Sequence, residues 1–328
     1  MLKIGVFGAG HLGKIHIKCI QLAKKHFEFI GFFDPDPKTR DQVAEQLNVK
    51  AYDSAELLLK EIDVADIVSP TPTHFELAQK ALLNGVNVFV EKPITHTLEE
   101  AEKLVALSEK LKIPIQVGHV ERFNPALLAV GHTPLKPLFI EGHRLAVFNP
   151  RGTDVSVVLD LMIHDLDIIL SLIQEEIEEI HANGVAVVSN TPDIANARIT
   201  FSNGSIVNLT ASRISMKQMR KMRLFQKDAY IGLDFLDKTA QVIRLQEGDH
   251  LTDDELKEEM LLETLQGKKI IKIEEPPIPE NNAIQMELES FAESIISKKP
   301  PKVSVKDGYK ALQLAYLIID KINRQIDF

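Results

Sequence analysis

The 328-residue chain predicts two architectures in succession: a doubly wound parallel α/β sheet, then an α+β unit built on an open, mainly antiparallel sheet. Three observations carry that expectation. In the first third, short β-rich apolar runs alternate with amphipathic helical patterns, as in a parallel sheet covered on both faces. The first strand passes into the first helix through a glycine-rich turn. Later in the chain, consecutive strand-like runs are separated by tight turn signals, which favour antiparallel pairing. The expected division is 1–121 and 122–328, and a chain of this length holds two substantial cores.

The opening run Leu2 to Phe7 leads into Gly8-Ala9-Gly10-His11-Leu12-Gly13, followed by a helical pattern through Ile15, Cys19, Ile20 and Ala23. GxGxxG alone is weak, but between strand and helix it has the context of a Rossmann dinucleotide site. Gly8 allows the tight turn, Gly10 lets a pyrophosphate approach the backbone, and Gly13 lets helix and strand pack closely. His11 and Leu12 open the helix, whose N–H groups and positive dipole end favour phosphate. The second strand, FEFIGFF, ends at Asp34, about 20 residues beyond Gly13, where such sites place a carboxylate on the adenosine ribose. That carboxylate repels a 2′-phosphate, and no Arg or Ser follows it directly. NAD is therefore expected rather than NADP.

The runs VADIVS, VNVFV and IPIQVGHV read as further strands, with helices over 75–83 and 98–111 between them. Ligands of doubly wound sheets bind beyond the carboxyl ends of the strands. Two segments stand at such ends: SPTPTH, with Thr71, Pro72 and His74, and EKP, with Glu91, Lys92 and Pro93. The prolines hold the chain extended there. Lys92 reads either as a cation close to a nicotinamide or as a snorkelling surface lysine.

Composition narrows the classes. A net charge of -9 argues against a nucleic-acid binder, which needs a basic stripe. Much of the acidity sits in LTDDELKEEMLLETLQ, which reads as a solvated helix face. The single cysteine, Cys19, excludes an intramolecular disulfide and suits a reducing compartment. No apolar run approaches the length of a membrane span, and the first residues read as a strand rather than a signal peptide. A cytoplasmic protein without membrane partners is expected.

In the second part, LFIEGHRLAVF, EEIHANGVAVVS, IANARITFSNGSIVNLTASRI and RKMRLFQKDAYIGLDF read as strands, with SNGS a hairpin turn. NNAIQMELESFAESIIS and VKDGYKALQLAYLIIDKI are late amphipathic helices. The segment VVLDLMIHDLDIIL, residues 157–170, is apolar yet carries Asp160, His164 and Asp167 at helical spacing on one face. Such a stripe is a satisfied polar seam, a metal site or a catalytic constellation.

GAGHLG, Asp34, PTPTH, EKP and the D-x-x-x-H-x-x-D helix occur here in the order found in the glucose–fructose oxidoreductase/inositol dehydrogenase (Gfo/Idh/MocA) family, and the chain resembles it over nearly its full length. The resemblance implies a Rossmann domain followed by an open-sheet domain whose outer face mediates homodimer or homotetramer formation. It also implies NAD(P)-dependent oxidation of a sugar or cyclitol hydroxyl. Lys92, Asp160 and His164 match the family's site positions. VGHVERFNPA and NPRGTDVSVVLDLMIHDLD are similar to the subgroup that oxidises the 3-hydroxyl of UDP-N-acetylglucosamine, where an aminotransferase acts next. Arg122, Asn124, Arg144 and Arg151 lie in or beside these stretches, and the arginines offer planar cations for a diphosphate. Ser156 stands where that pattern has glycine.

Alcohol oxidation needs a base for the hydroxyl proton, and a histidine ordinarily titrates near pH 6.5. His164 suits the role of that base, Asp160 that of a sugar-positioning group, Lys92 that of a donor to the reacting oxygen, and Asp167 that of a partner that orients the imidazole. Whether Lys92 or His164 takes the proton first stays open at this point, a relay between them being the other reading. No metal is expected, because zinc sites recruit His or Cys more heavily. Inositol or free-sugar oxidation is the alternative within the family. Regulators that bind a dinucleotide without catalysis are the alternative outside enzymes, but those tend to lose the lysine or histidine.

Overall fold

The structure, a computed structural model, describes residues 1–149, 155–247, 260–264 and 267–326. The chain forms two compact units, each discontinuous in sequence: Met1–Phe123 with Asn281–Leu314, and Asn124–Glu280 with Ala315–Phe328.

The first unit holds five parallel strands, β1 (Leu2–Phe7), β2 (Phe27–Phe33), β3 (Val64–Ile67), β4 (Asn87–Glu91) and β5 (Ile115–Gly118). Their order is β2-β1-β3-β4-β5. The order reverses between β1 and β3, which makes their carboxyl ends the expected ligand crevice. Its helices are α1 (His11–Leu22), α2 (Pro37–Leu47), α3 (Ala55–Leu59), α4 (His74–Leu83) and α5 (Leu98–Leu111). The last two are the helices expected from the apolar pattern. α5 starts where Thr97 and Glu100 form a reciprocal capping box.

A helix from near the chain's end completes this core. Leu288, Phe291 and Ala292 of α8 (Ala283–Ser297) join Ile4, Val6, Ile17, Ile20 and Phe89 in one buried cluster. Each such Leu, Ile or Phe contributes about 1.5–3 kcal/mol on burial. The longest helix, α9 (Val305–Ile326), gives residues to both units.

The second unit holds α6 (Pro125–Ala129), α7 (Ile163–Leu172) and a nine-stranded sheet. Its strands are β6 (Phe139–Leu145), β7 (Ile177–Val185), β8 (Ile194–Phe201), β9 (Ile206–Ser212), β10 (Met219–Phe225), β11 (Ala229–Asp234), β12 (Thr239–Glu247), β13 (Met260–Thr264) and β14 (Gly267–Glu274). They lie in the order β13-β14-β12-β11-β10-β6-β9-β8-β7. β6 and β9 pair in parallel, and the other described pairs are antiparallel. The SNGS turn joins β8 to β9 with Gly204 at φ +82°, a left-handed conformation that glycine adopts freely. Along β6 Ile140, Gly142 and Arg144 are buried, whereas Phe139, Glu141, His143 and Leu145 are only partly covered.

One expected helix gives way to a strand where its residues are described. Residues 260–264 of LTDDELKEEMLLETLQ form strand β13, with Met260 opposite Ile271 of β14; residues 251–259 and 265–266 lie outside the described part. Ladder pairing with the β-branched strand KKIIKI outweighs the helix preference of Leu and Glu. Among the described residues, no helix is long and apolar enough to cross a membrane.

Candidate active site

The glycine turn has the stereochemistry that its sequence implies. Gly8 has φ +98°, and a Cβ there would lie 2.7 Å from the backbone of Ser69 at the end of β3. A Cβ on Gly13 would lie 2.0 Å from the Gly8 carbonyl oxygen, so only glycine brings α1 this close to the turn. Gly10 is the opposite case, since a Cβ there would meet nothing within 4 Å. It is the N-cap of α1 and offers no side-chain bond to the first turn. His11 and Leu12, in that turn, are exposed. Open space over uncapped N–H groups at a helix N-terminus fits a pyrophosphate.

Asp34 closes the turn from the side. Its Oδ2 accepts from the Ala9 N–H at 2.8 Å, and its Oδ1 accepts from the Asp36 N–H at 3.0 Å. The carboxylate therefore stands beside the glycine turn. Arg40 on α2 bends back to this strand end and donates to the Asp34 carbonyl at 2.9 Å. Inspection of the residues immediately after Asp34 missed this cation because it arrives one helical turn later.

At the next strand ends, Thr71 and Pro72 sit in a 3₁₀ turn, half-buried and exposed respectively. His74 is buried, with Nδ1 3.0 Å from the Pro93 carbonyl oxygen and Nε2 2.8 Å from that of Ser69. Burial holds its pKa down against these two carbonyls, which favour the imidazolium. His74 thus ties the β3 end to the EKP turn. Within that turn, Lys92 is half-buried and the Lys92–Pro93 peptide is cis. The Glu91 carboxylate is buried: Oε1 lies 3.3 Å from His16 Nε2, and Oε2 accepts the Lys92 N–H at 3.1 Å.

The second unit carries the other site residues. One π turn, Val158–Met162, precedes α7, and Asp160 lies in it. His164 follows in the first turn of α7, so the single α-helical face expected over 160–167 begins only at Ile163. Single π turns inside helices recur at functional sites. Ser156, out of place in the sequence pattern, accepts the Val158 N–H on its Oγ at 3.3 Å and supports the start of the turn. Asp160 and His164 are half-buried, and Asp167 is buried.

Two residues expected near substrate also have structural partners. Arg144 is 2% exposed and forks onto Asp165 at 2.8 and 3.0 Å. A buried bidentate pair of this kind fixes β6 against α7 and leaves that guanidinium face occupied. Asn124 is buried; its Oδ1 accepts the Ala126 N–H at 3.0 Å, and its Nδ2 donates to the Phe235 carbonyl at 3.0 Å. Arg122 sits half-buried in the 3₁₀ turn before α6. Arg151 lies outside the described residues.

Sequence reading missed Asp165, which is buried on α7 beside Ile163 and Leu166, where an apolar residue would be expected. It also missed His16, Asp66 and Glu287, all 0% exposed. Each interrupts an otherwise apolar stripe: His16 beside Ile17 and Ile20, Asp66 inside VADIVS, and Glu287 beside Leu288 and Phe291. A charge on a core face was the available signal.

Comparison with known proteins agrees with this geometry. Residues 2–119 match the model of an oxidoreductase family with an NAD-binding Rossmann fold, and residues 143–230 match the GFO/IDH/MocA C-terminal domain. The chain is 34% identical over 300 residues to the UDP-N-acetylglucosamine 3-dehydrogenase of Acidithiobacillus ferrooxidans, covering 91% of this chain and 90% of that one. A solved structure of that enzyme superposes with a TM-score of 0.86, 32% identity, and coverage of 98% and 97%. The scyllo-inositol 2-dehydrogenase (NAD(+)) of Bacillus subtilis is 32% identical over 65% of this chain and 68% of its own. A glycine cradle with a carboxylate at its side, the lysine turn and the Asp160–His164 segment thus stand in a chain that belongs to the Gfo/Idh/MocA family of NAD(P)-dependent oxidoreductases.

Proposed function

We propose that this chain oxidises the 3-hydroxyl of a UDP-N-acetylhexosamine, using NAD. The observation that carries the reading is the similarity to a UDP-N-acetylglucosamine 3-dehydrogenase across about nine-tenths of both chains. A myo-inositol 2-dehydrogenase that matches over 96% of this chain is only 24% identical, against 34% for the sugar-nucleotide enzyme, which favours the sugar nucleotide over a cyclitol. Asp34 supports NAD, because a carboxylate at the end of β2, beside the glycine turn, would repel a 2′-phosphate.

The residues then take distinct roles. Gly10 and the first turn of α1 hold the pyrophosphate, with His11 and Leu12 at its mouth. Thr71, Pro72, His74 and Glu91 shape the nicotinamide end. Nicotinamide supplies the acceptor for the hydride that leaves the carbinol carbon. Lys92 donates to the reacting oxygen and stabilises alkoxide character as its proton departs. His164 takes that proton, a contribution of about 10²–10⁴-fold. Asp160 holds a neighbouring sugar hydroxyl, Asp167 orients the imidazole, and Arg122, Asn124 and Arg151 serve the nucleotide side. Substrate profiling by nicotinamide absorbance tests the assignment, with an aminotransferase and an amino donor added to remove a 3-keto product.

The chain is further proposed to be a cytoplasmic homodimer or homotetramer assembled through the open sheet. Supporting this, the sheet bears a groove of about 950 Å³ whose lining mixes apolar side chains (Leu145, Met219, Tyr230 and Ile278) with charged ones (Lys221 and Arg223). A groove of mixed apolar and charged lining on a sheet face suits a second copy.

A further inference from the structure

His16 lies on the inner face of α1, 0% exposed, between two carboxylates. Its Nδ1 is 3.0 Å from Asp66 Oδ2 on β3, and its Nε2 is 3.3 Å from Glu91 Oε1 on β4. The Phe89 ring packs edge-on at 5.8 Å. From α8 comes Glu287, also 0% exposed, with neither carboxyl oxygen hydrogen-bonded. Gln116 on β5 donates to the Glu287 carbonyl at 2.7 Å. Gly118 leaves the space for this arrangement, since a Cβ there would lie 2.7 Å from Glu91 Oε1.

Charge states follow from these neighbours. Burial alone would lower His16, but Asp66 and Glu91 lift it well above the usual histidine value, so it is an imidazolium. Burial would raise Glu91, yet His16 and the adjacent Lys92 hold it below the usual carboxylate range. Burial also raises Asp66, with His16 opposing. Glu287 has no such cation in contact. Burial first, and then the charge of Glu91, push it far up; His16 opposes this and Asp66 adds to it, so it carries a proton. Cys19, the remaining titratable neighbour on α1, is raised by burial and stays a thiol.

We propose that His16 is a positioning residue for the lysine turn: backed by Asp66, it fixes the buried Glu91 carboxylate that receives the Lys92 N–H. The role rests on the reading of Lys92 as the residue at the reacting oxygen. His16 fixes the ionised carboxylate on the inner side of the turn, and His74 holds the Pro93 carbonyl on the next residue but one. Without the imidazolium, Glu91 is a buried carboxyl facing two others and takes up a proton.

The test is the pH dependence of kcat in His16→Gln, beside infrared detection of protonated buried carboxyls in the whole protein. Expected is an acid limb moved up by about one pH unit, with NAD affinity within about twofold of wild type. A second protonated carboxyl, besides that of Glu287, should titrate together with this limb. The His16→Gln/Glu91→Gln variant should lose both the extra carboxyl signal and the shift. Asp66→Asn, which keeps the shape of the cluster, should reproduce the shift in smaller size if His16→Gln folds poorly. An unmoved acid limb in both variants, or a new carboxyl that titrates without turnover following it, would overturn the proposal. Near-normal turnover in Lys92→Ala would instead overturn the role given to Lys92, and the infrared titration registers the His16–Glu91 link independently of turnover.

Discussion

The Asp34 carboxylate accepts a 2.8 Å hydrogen bond from the Ala9 N–H, so the end of β2 and the glycine turn form one unit. A 2′-phosphate placed against this carboxylate would suffer like-charge repulsion. Calorimetry is expected to show tighter binding of NAD than of NADP. Asp34→Ala should narrow the difference by about tenfold or more, the scale of one charge-assisted contact. Equal affinities in the unsubstituted protein would remove Asp34 from the ribose site.

The two glycines that flank His11 and Leu12 should respond differently to alanine. Gly13→Ala forces a Cβ to within 2.0 Å of the Gly8 carbonyl oxygen, and should cost about 1–3 kcal/mol of stability or more, read as a lower melting temperature. Gly10→Ala has open space and should melt as the wild type does. Its Cβ enters the cradle instead, so NAD affinity should fall by about tenfold. A Gly10→Ala protein with normal affinity would place the phosphates elsewhere.

Stability on the acid side should depend on Asp193. Burial opposes its ionisation, but the N–H groups of Val188, Val187 and Ser189 and the Ser189 hydroxyl outweigh it and lower the pKa to about 2. A depressed carboxyl stabilises the fold above its unfolded value near 4, and loses that contribution as pH falls through about 2. Asp193→Asn should therefore lower stability by about 1.5–3 kcal/mol at pH 7, with the difference from wild type shrinking toward pH 2. Chemical denaturation at a series of pH values measures it, and a difference independent of pH would contradict it.

Assembly is open to a direct check. Light scattering at micromolar concentration should give the mass of a dimer or tetramer. Tyr230→Glu, on the groove of the sheet face, should shift it toward the monomer. A wild-type monomer would leave that face without the proposed partner.

The parallel sheet was legible because each strand ends at a turn residue and the helices between keep a clean apolar stripe, as Leu98–Leu111 does. The assignment of α8 to the first unit was not. An apolar stripe at Leu288 and Phe291 tells that a face is buried, but not which core receives it. The β13–β14 pairing was hidden for a related reason, since a strand of Leu and Glu takes its conformation from its neighbour. At the candidate site, the glycines and Asp34 could be read locally because their chemistry depends on backbone geometry. Arg144 and Asp165 could not, because the fork between them joins residues from different elements. The His16 cluster draws on α1, β3, β4 and α8, and no spacing along the chain encodes it.

The central claim is that Lys92 and His164 act on one sugar hydroxyl. The most direct measurement is steady-state NADH formation from UDP-N-acetylglucosamine, with the aminotransferase removing product, in wild type, Lys92→Ala, His164→Ala and the double variant. Each single substitution should raise the barrier by about 3–5 kcal/mol while NAD binding stays nearly unchanged. The double variant should lose little more, because groups serving one proton transfer fail together. Near-normal turnover in both single variants, or no turnover of any sugar nucleotide by the wild type, would contradict the account.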